Sequence, residues 1–266
     1  MVSWRGLEFG YYPFFFGTAF LITLFLTKEM IFACFDRDPF FKEKASHIAE
    51  TGWLSFFVGA LIGARLGHLL FYRNFTELLV DPLVVFRLYE GGLSSHGGII
   101  GVILSLFIWI RWQKPYFTPL KILDLLSPPA LLVASFIRIG NFFNQELVGR
   151  VTDVPWAVVF GHPVGAVGGL PRHPVQLYEA LFYLMGFSFL FIVWVKHKNT
   201  LPQGRLVGLL FLNVFLFRFV IEFFKEPHGY YTSNSPLLMG QILSIPFIII
   251  GYILLRRSYA PLRMGP

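Results

Sequence analysis

The chain has 266 residues, of which 55% are hydrophobic and only 14% charged, and its formal charge is +7. Mean hydropathy is +0.63, more apolar surface than a soluble domain of this length can bury, whereas hydrocarbon dissolves it. The composition excludes an ordinary soluble domain; the excess of positive charge fits basic cytoplasmic loops and anionic lipid, and no nucleic acid is expected as a partner.

Roughly 20 apolar residues are needed to cross a bilayer as a helix. Seven stretches qualify, near 10–33, 48–72, 93–112, 121–140, 175–195, 206–224 and 237–255. The first lacks a small-residue cleavage site and reads as a retained span, not a signal peptide. The fourth holds Pro128 and Pro129 and the seventh Pro246, as kinks that membrane helices tolerate. The expected fold is an all-α integral membrane protein of about seven helices in one domain, 1–266, with two long connections at 73–92 and 141–174.

Of the 22 lysines and arginines, Arg65, Arg138 and Arg218 fall within spans or at their rims. Thirteen others lie on one side: Lys28, Arg37, Lys42, Lys44, Arg111, Lys114, Lys121, Lys196, Lys198, Arg205, Arg256, Arg257 and Arg263. Six lie opposite: Arg5, Arg73, Arg87, Arg150, Arg172 and Lys225. The richer side is expected to be cytoplasmic. The amino terminus and both long connections then face outward, and the carboxyl terminus faces inward. The lone cysteine, Cys34, sits at the inner end of the first span and permits no internal disulfide.

A charge at mid-membrane costs about 2.5–3.5 kcal/mol on insertion scales, so the three arginines need reasons. Arg65, in "GARLGHLLFY", reads either as a structural arginine near a span end or as part of a site. Arg218 has Glu222 one turn later; the pair either neutralises itself or presents a guanidinium to an anion. Arg138 has no carboxylate at i±3 or i±4, so its counter-charge must come from elsewhere. It opens "RIGNFFNQELVGR", whose polar groups read as a cavity at the outer end of a span.

His96 lies in "GGLSSHGGIIG", five glycines in eleven residues, at the same expected depth as Arg138. It reads as a site histidine or a satisfied core residue. Ser95 beside it leaves an intramembrane hydrolase open, although no nucleophile elbow is present. "PRHPVQLYEA" crowds His173, Gln176, Tyr178 and Glu179 into the entry of the fifth span, where negative charge is favourable. No cluster has metal-ligand spacing, and no phosphate loop or dinucleotide fingerprint occurs.

The order "GARLGHLLFY", "GGLSSHGGIIG", "RIGNFFNQELVGR", "PWAVVF", "RHPVQLYEA" and "FRFVIEFFKEP" resembles the phosphatidylglycerol–prolipoprotein diacylglyceryl transferases of bacterial inner membranes. The likeness runs from about residue 59 to residue 227. Four departures stand out. Gln145 occupies a usual glycine, Val175 a usual serine and His228 a common aspartate, and "FGYYPFFFG" lacks the arginine often found in the first span.

The resemblance implies transfer of diacylglyceryl from phosphatidylglycerol to the sulfhydryl of a lipobox cysteine in a prolipoprotein signal peptide. A thioether forms and glycerol phosphate leaves. Membrane lipid and the signal peptide are then the partners, with no cofactor and no metal. His96 would be the base, Arg138 would hold the donor headgroup and Arg218, oriented by Glu222, the leaving phosphate; the two arginine roles are interchangeable. Asn141 and Glu146 would position headgroup hydroxyls, Gly149 would allow close backbone approach, and Arg65 would support the site from behind. The rival readings are a small-anion transporter and the hydrolase.

Overall fold

The computed structural model describes residues 2–4, 7–9, 11–36, 38–72, 95–113, 116–226 and 237–259. A short hairpin, β1 (Val2–Trp4) with β2 (Leu7–Phe9), precedes α1 (Tyr11–Ala33). The further α-helices among the described residues are α2 (Lys42–Tyr72), α3 (Ser95–Gln113), α4 (Pro119–Phe143), α5 (Val175–His197), α6 (Arg205–Ile221) and α7 (Met239–Tyr259). Two-residue strands β3 (Val158–Val159) and β4 (Pro171–Arg172) pair antiparallel between α4 and α5. The expected connection 73–92 and His228 lie outside the described residues.

Each expected span falls on a helix. Among the described residues, five segments are long and apolar enough to cross a membrane: Pro39–Leu70, Pro119–Phe143, Val175–His197, Arg205–Phe224 and Gly240–Tyr259. Gly97–Gln113 is apolar but shorter. The chain is a multi-pass membrane protein. Its contacts divide it into two compact units, residues 28–122 and residues 1–27 with 123–266.

In the first unit α2 and α3 touch backbone to backbone. A methyl at Gly63 would strike the carbonyl of Gly97, and one at Gly101 that of Gly59. Small residues at such a seam let dispersion act over a long contact, the usual cohesion between helices in lipid. Trp109 closes one end of the seam against Gly52 and Phe56. Arg65 is fully buried in this unit. Cys34 follows α1, its thiol directed at the Met30 carbonyl at 3.5 Å, and burial pushes its pKa up.

In the second unit Asp124 fixes the start of α6. Its carboxylate accepts from the N–H groups of Gly204 at 2.7 Å and Val207 at 2.9 Å, satisfying donors that a helix start leaves orphaned. Arg205 closes the same end, stacked 4.0 Å over the Tyr259 ring. The prolines of α4 remove two backbone donors, and Ser135 ties that helix to α5 by donating to the Ala180 carbonyl at 2.8 Å. Phe182 stacks on Phe217 at 3.8 Å between α5 and α6, and Phe215 on Phe247 at 4.4 Å between α6 and α7.

Candidate active site

Arg138 projects from the last turns of α4, and its counter-charge comes from α5. Its Nε lies 3.2 Å from Glu179 Oε2, and the Glu179 side chain has 0% exposure against 16% for Arg138. The other oxygen, Oε1, accepts from Lys225 Nζ at 2.8 Å. One buried carboxylate therefore serves two cations, and the triad keeps a net charge of +1. Burial lowers the pKa of Lys225; Glu179 opposes that shift, and the charges of Arg138 and Arg218 add to it.

From Arg138 a second chain of contacts runs down "RIGNFFNQELVGR". Arg138 Nη1 donates to Asn141 Oδ1 at 3.3 Å, and Asn141 Nδ2 donates to Glu146 Oε2 at 2.8 Å. Asn144 Nδ2 reaches Glu146 Oε1 at 3.2 Å. The Glu146 backbone carbonyl accepts from the buried Gln176 at 2.6 Å. The turn that permits this has Gln145 and Leu147 at φ 56° and 54°. Left-handed backbone costs an L-residue roughly 1–2 kcal/mol; Gln145 offsets part of it by accepting from the His162 N–H at 2.7 Å. Gln145 thus keeps the conformation that glycine favours.

The rest of the connection is knotted to both neighbouring helices. The N–H of Gly149 donates to the His173 carbonyl, the N–H of Arg150 to that of Phe224, and the N–H of Glu226 to that of Val148. A side chain at Gly149 would strike the His173 carbonyl, so the close approach is between two strands of the chain. Arg172 is buried beneath and pairs with Glu226 at 2.8 Å while donating to the Gly149 carbonyl at 3.0 Å.

An apolar cavity of about 300 Å³ adjoins the cluster, with Ala134, Ile137, Tyr183, Leu210 and Phe211 in its wall and Arg138 at its edge. Near Arg138 the buried Gln176 Oε1 receives no hydrogen bond among the described residues, whereas Glu179 Oε2 is held by the Arg138 ion pair. Gln176 and Glu179 stand three residues apart on one face of α5.

The expected Arg218–Glu222 pair does not form. Helix α6 ends at Ile221, and the Glu222 N–H still donates to the Arg218 carbonyl, so the i,i+4 spacing is kept and it is the side chains that do not meet. The Glu222 carboxylate instead rests on Gly240 at the start of α7, where the helix dipole favours negative charge. Among the described residues Arg218 forms no ion pair. His96 belongs to the first turn of α3, but its side chain lies outside the described residues. Arg138, Asn141, Glu146 and Gly149 are brought together with Glu179 and Lys225, which sequence reasoning had left among a helix entry and the loop cations. The signal for Glu179 was available: Arg138 required a carboxylate from another helix.

The family model described as "Prolipoprotein diacylglyceryl transferase" matches residues 1–257. The chain belongs to this family. Among its relatives, the phosphatidylglycerol–prolipoprotein diacylglyceryl transferase of Chloroherpeton thalassium is 36% identical over 260 residues, covering 97% of this chain and 91% of that one. The Pasteurella multocida transferase is 46% identical over 206 residues, 76% of this chain and 73% of its own. The Protochlamydia amoebophila transferase is 46% identical over 203 residues, 75% of this chain; the match spans about half, 54%, of that longer relative. The segment from Arg138 to Arg150 and the start of α5 lie within the residues that the family model covers.

Proposed function

We infer that the Arg138–Glu179–Lys225 cluster holds the phosphoglycerol headgroup of the lipid donor. Membership in the family makes the chain a transferase that moves diacylglyceryl from phosphatidylglycerol to a prolipoprotein. The carrying observation is the excess positive charge around one buried carboxylate, beside an apolar cavity. A phosphodiester matches the charge, and its acyl chains match the cavity. The unpaired buried acceptor on Gln176 suits a headgroup hydroxyl, and the positive charge of the cluster favours a glycerol donor over one bearing an ammonium.

The acceptor is the thiol of the lipobox cysteine. A free thiol has a pKa of about 8.5 and reacts as thiolate, so a base of near-neutral pKa assists, and His96 takes that proton. Sulfur attacks the glycerol carbon esterified to phosphate. The S–C bond forms, the C–O bond breaks, and the leaving glycerol phosphate gains one negative charge. Arg138 holds the headgroup and Arg218 meets the developing charge, because a fixed guanidinium keeps its charge in a dry site. Asn141 and Glu146 set the Arg138 plane, Glu222 anchors the end of α6 on α7, and Arg65 supports the α2–α3 unit. On this reading the amino terminus lies outside and the carboxyl terminus inside a bacterial inner membrane, with 141–174 facing outward; the asymmetry of the basic residues supports it.

The test is mass spectrometry of a lipobox peptide incubated with purified protein and phosphatidylglycerol. The cysteine peptide gains one diacylglyceryl group and a serine peptide none. Phosphate movement across vesicles without peptide modification would replace this reading with the transporter.

A further inference from the structure

We propose that the tip of the α4–α5 connection, Gly161 to Leu170, lies on the lipid surface as an interfacial wedge. Loops between spans ordinarily expose polar side chains to water. This one does the reverse. Val164 is 58% exposed and Val167 69%, with Leu170 exposed beside them; just before the tip, Val159 is 60% and Trp156 61% exposed. From Gly161 to Leu170, "GHPVGAVGGL", His162 is the lone ionisable residue. A patch without charge offers nothing to an acidic or basic partner.

Three tethers hold this surface at the level of the helix ends instead of letting it project outward. Phe160 is buried edge-on against Phe142 of the last turn of α4 at 5.7 Å. Just past that turn, Gln145 accepts from two tip amides, the Val164 N–H through its backbone carbonyl at 3.0 Å and the His162 N–H through its side chain at 2.7 Å. Trp156 Nε1 donates to the Tyr178 hydroxyl in the first turn of α5 at 2.7 Å. Its indole is pinned by the polar edge while the ring stays exposed, the disposition of tryptophan at a membrane boundary.

The patch also continues a surface already in lipid. Both flanking helices are long and apolar enough to span, and Phe143, Leu177 and Leu181 are exposed on them where the connection leaves and returns. Continuity with that surface and the lack of charge select lipid as the occupant. The proposal rests on the membrane embedding of α4 and α5 and is independent of the transfer chemistry.

The experiment uses full-length protein carrying Cys34→Ala, in nanodiscs containing phosphatidylglycerol. Single cysteines replace Val164 or Val167, with Leu181→Cys on α5 as the lipid-facing reference, and each carries a fluorophore. Quenching is read with lipids bearing a nitroxide near the headgroup and with a water-soluble quencher. The proposal expects loss of fluorescence from the lipid nitroxide comparable with that at Leu181, and little from the aqueous quencher, with or without a lipobox peptide. Gln145→Gly removes the side-chain half of one tether and should shift Val167 toward the aqueous quencher. Quenching at both tip positions by the aqueous agent alone would overturn the proposal. So would shielding that arises only when the lipobox peptide is added, which would assign the patch to the peptide.

Discussion

Glu179 and Arg138 meet across two helices at 3.2 Å, with the carboxylate fully buried and the guanidinium near the edge of an apolar cavity. The pair explains how a cation stands at the end of a membrane helix that offers it no acid of its own. Lys225 on the other carboxylate oxygen leaves the cluster positive, ready for an anion.

Glu179→Gln keeps the shape and removes the charge. Breaking a buried pair by losing one member costs about 3–5 kcal/mol, so the midpoint of thermal unfolding should fall. Turnover should fall further, on the order of 10²-fold, because Arg138 loses its orientation. Melting and turnover measured on the same preparation check this. Full activity with a lowered midpoint would make Glu179 a purely structural residue.

Arg218 invites a rescue test. If it served only to neutralise Glu222, the double variant Arg218→Ala, Glu222→Ala would regain activity. Glu222 rests on Gly240, so no rescue is expected. Arg218→Ala and the double variant should both lose on the order of 10²–10³ in turnover, with Arg218→Lys intermediate. Recovered turnover in the double variant would remove Arg218 from the chemistry.

Lys225 gives the site a pH signature. Its folded pKa is lowered from 10.5, with burial the first cause. Between the lowered value and the unfolded one the unfolded chain binds more protons, so this group's contribution to stability rises with pH through that window. Arginine at the same place does not titrate there. Wild type should therefore gain stability relative to Lys225→Arg as pH climbs toward the ordinary lysine range. Parallel melting curves from neutral to alkaline pH would reveal it, and a constant difference would contradict it.

Cys34 follows α1 with its thiol directed at the Met30 carbonyl, and burial holds its pKa up, the opposite of an activated nucleophile. Cys34→Ala should keep near-normal turnover. A well-folded but inactive variant would mean that the substrate is not the sole source of thiol.

The helices were legible because apolar length is a local property. Arg138, Asn141 and Glu146 were legible together because one short stretch of sequence carries them. Glu179 and Lys225 were harder. Glu179 stands 41 positions beyond Arg138 in the chain, and a carboxylate near a helix start already had a sufficient local explanation. The Arg218–Glu222 pairing failed for a different reason: the i,i+4 spacing is kept at the end of α6, but the Glu222 carboxylate rests on Gly240 at the start of α7. Gln145 shows the converse. Its side chain reads as a departure, yet its φ of 56° keeps the backbone that glycine would supply.

The most direct test of the headgroup role follows the phosphate. Phosphatidylglycerol labelled in its headgroup is incubated with a lipobox peptide and either wild type or Arg138→Ala of equal thermal midpoint, and released glycerol phosphate is counted against thioether product. Wild type should release one glycerol phosphate per thioether, and Arg138→Ala should form both products on the order of 10²–10³ more slowly. Equal rates from the two proteins would contradict the assignment of Arg138 to the donor headgroup.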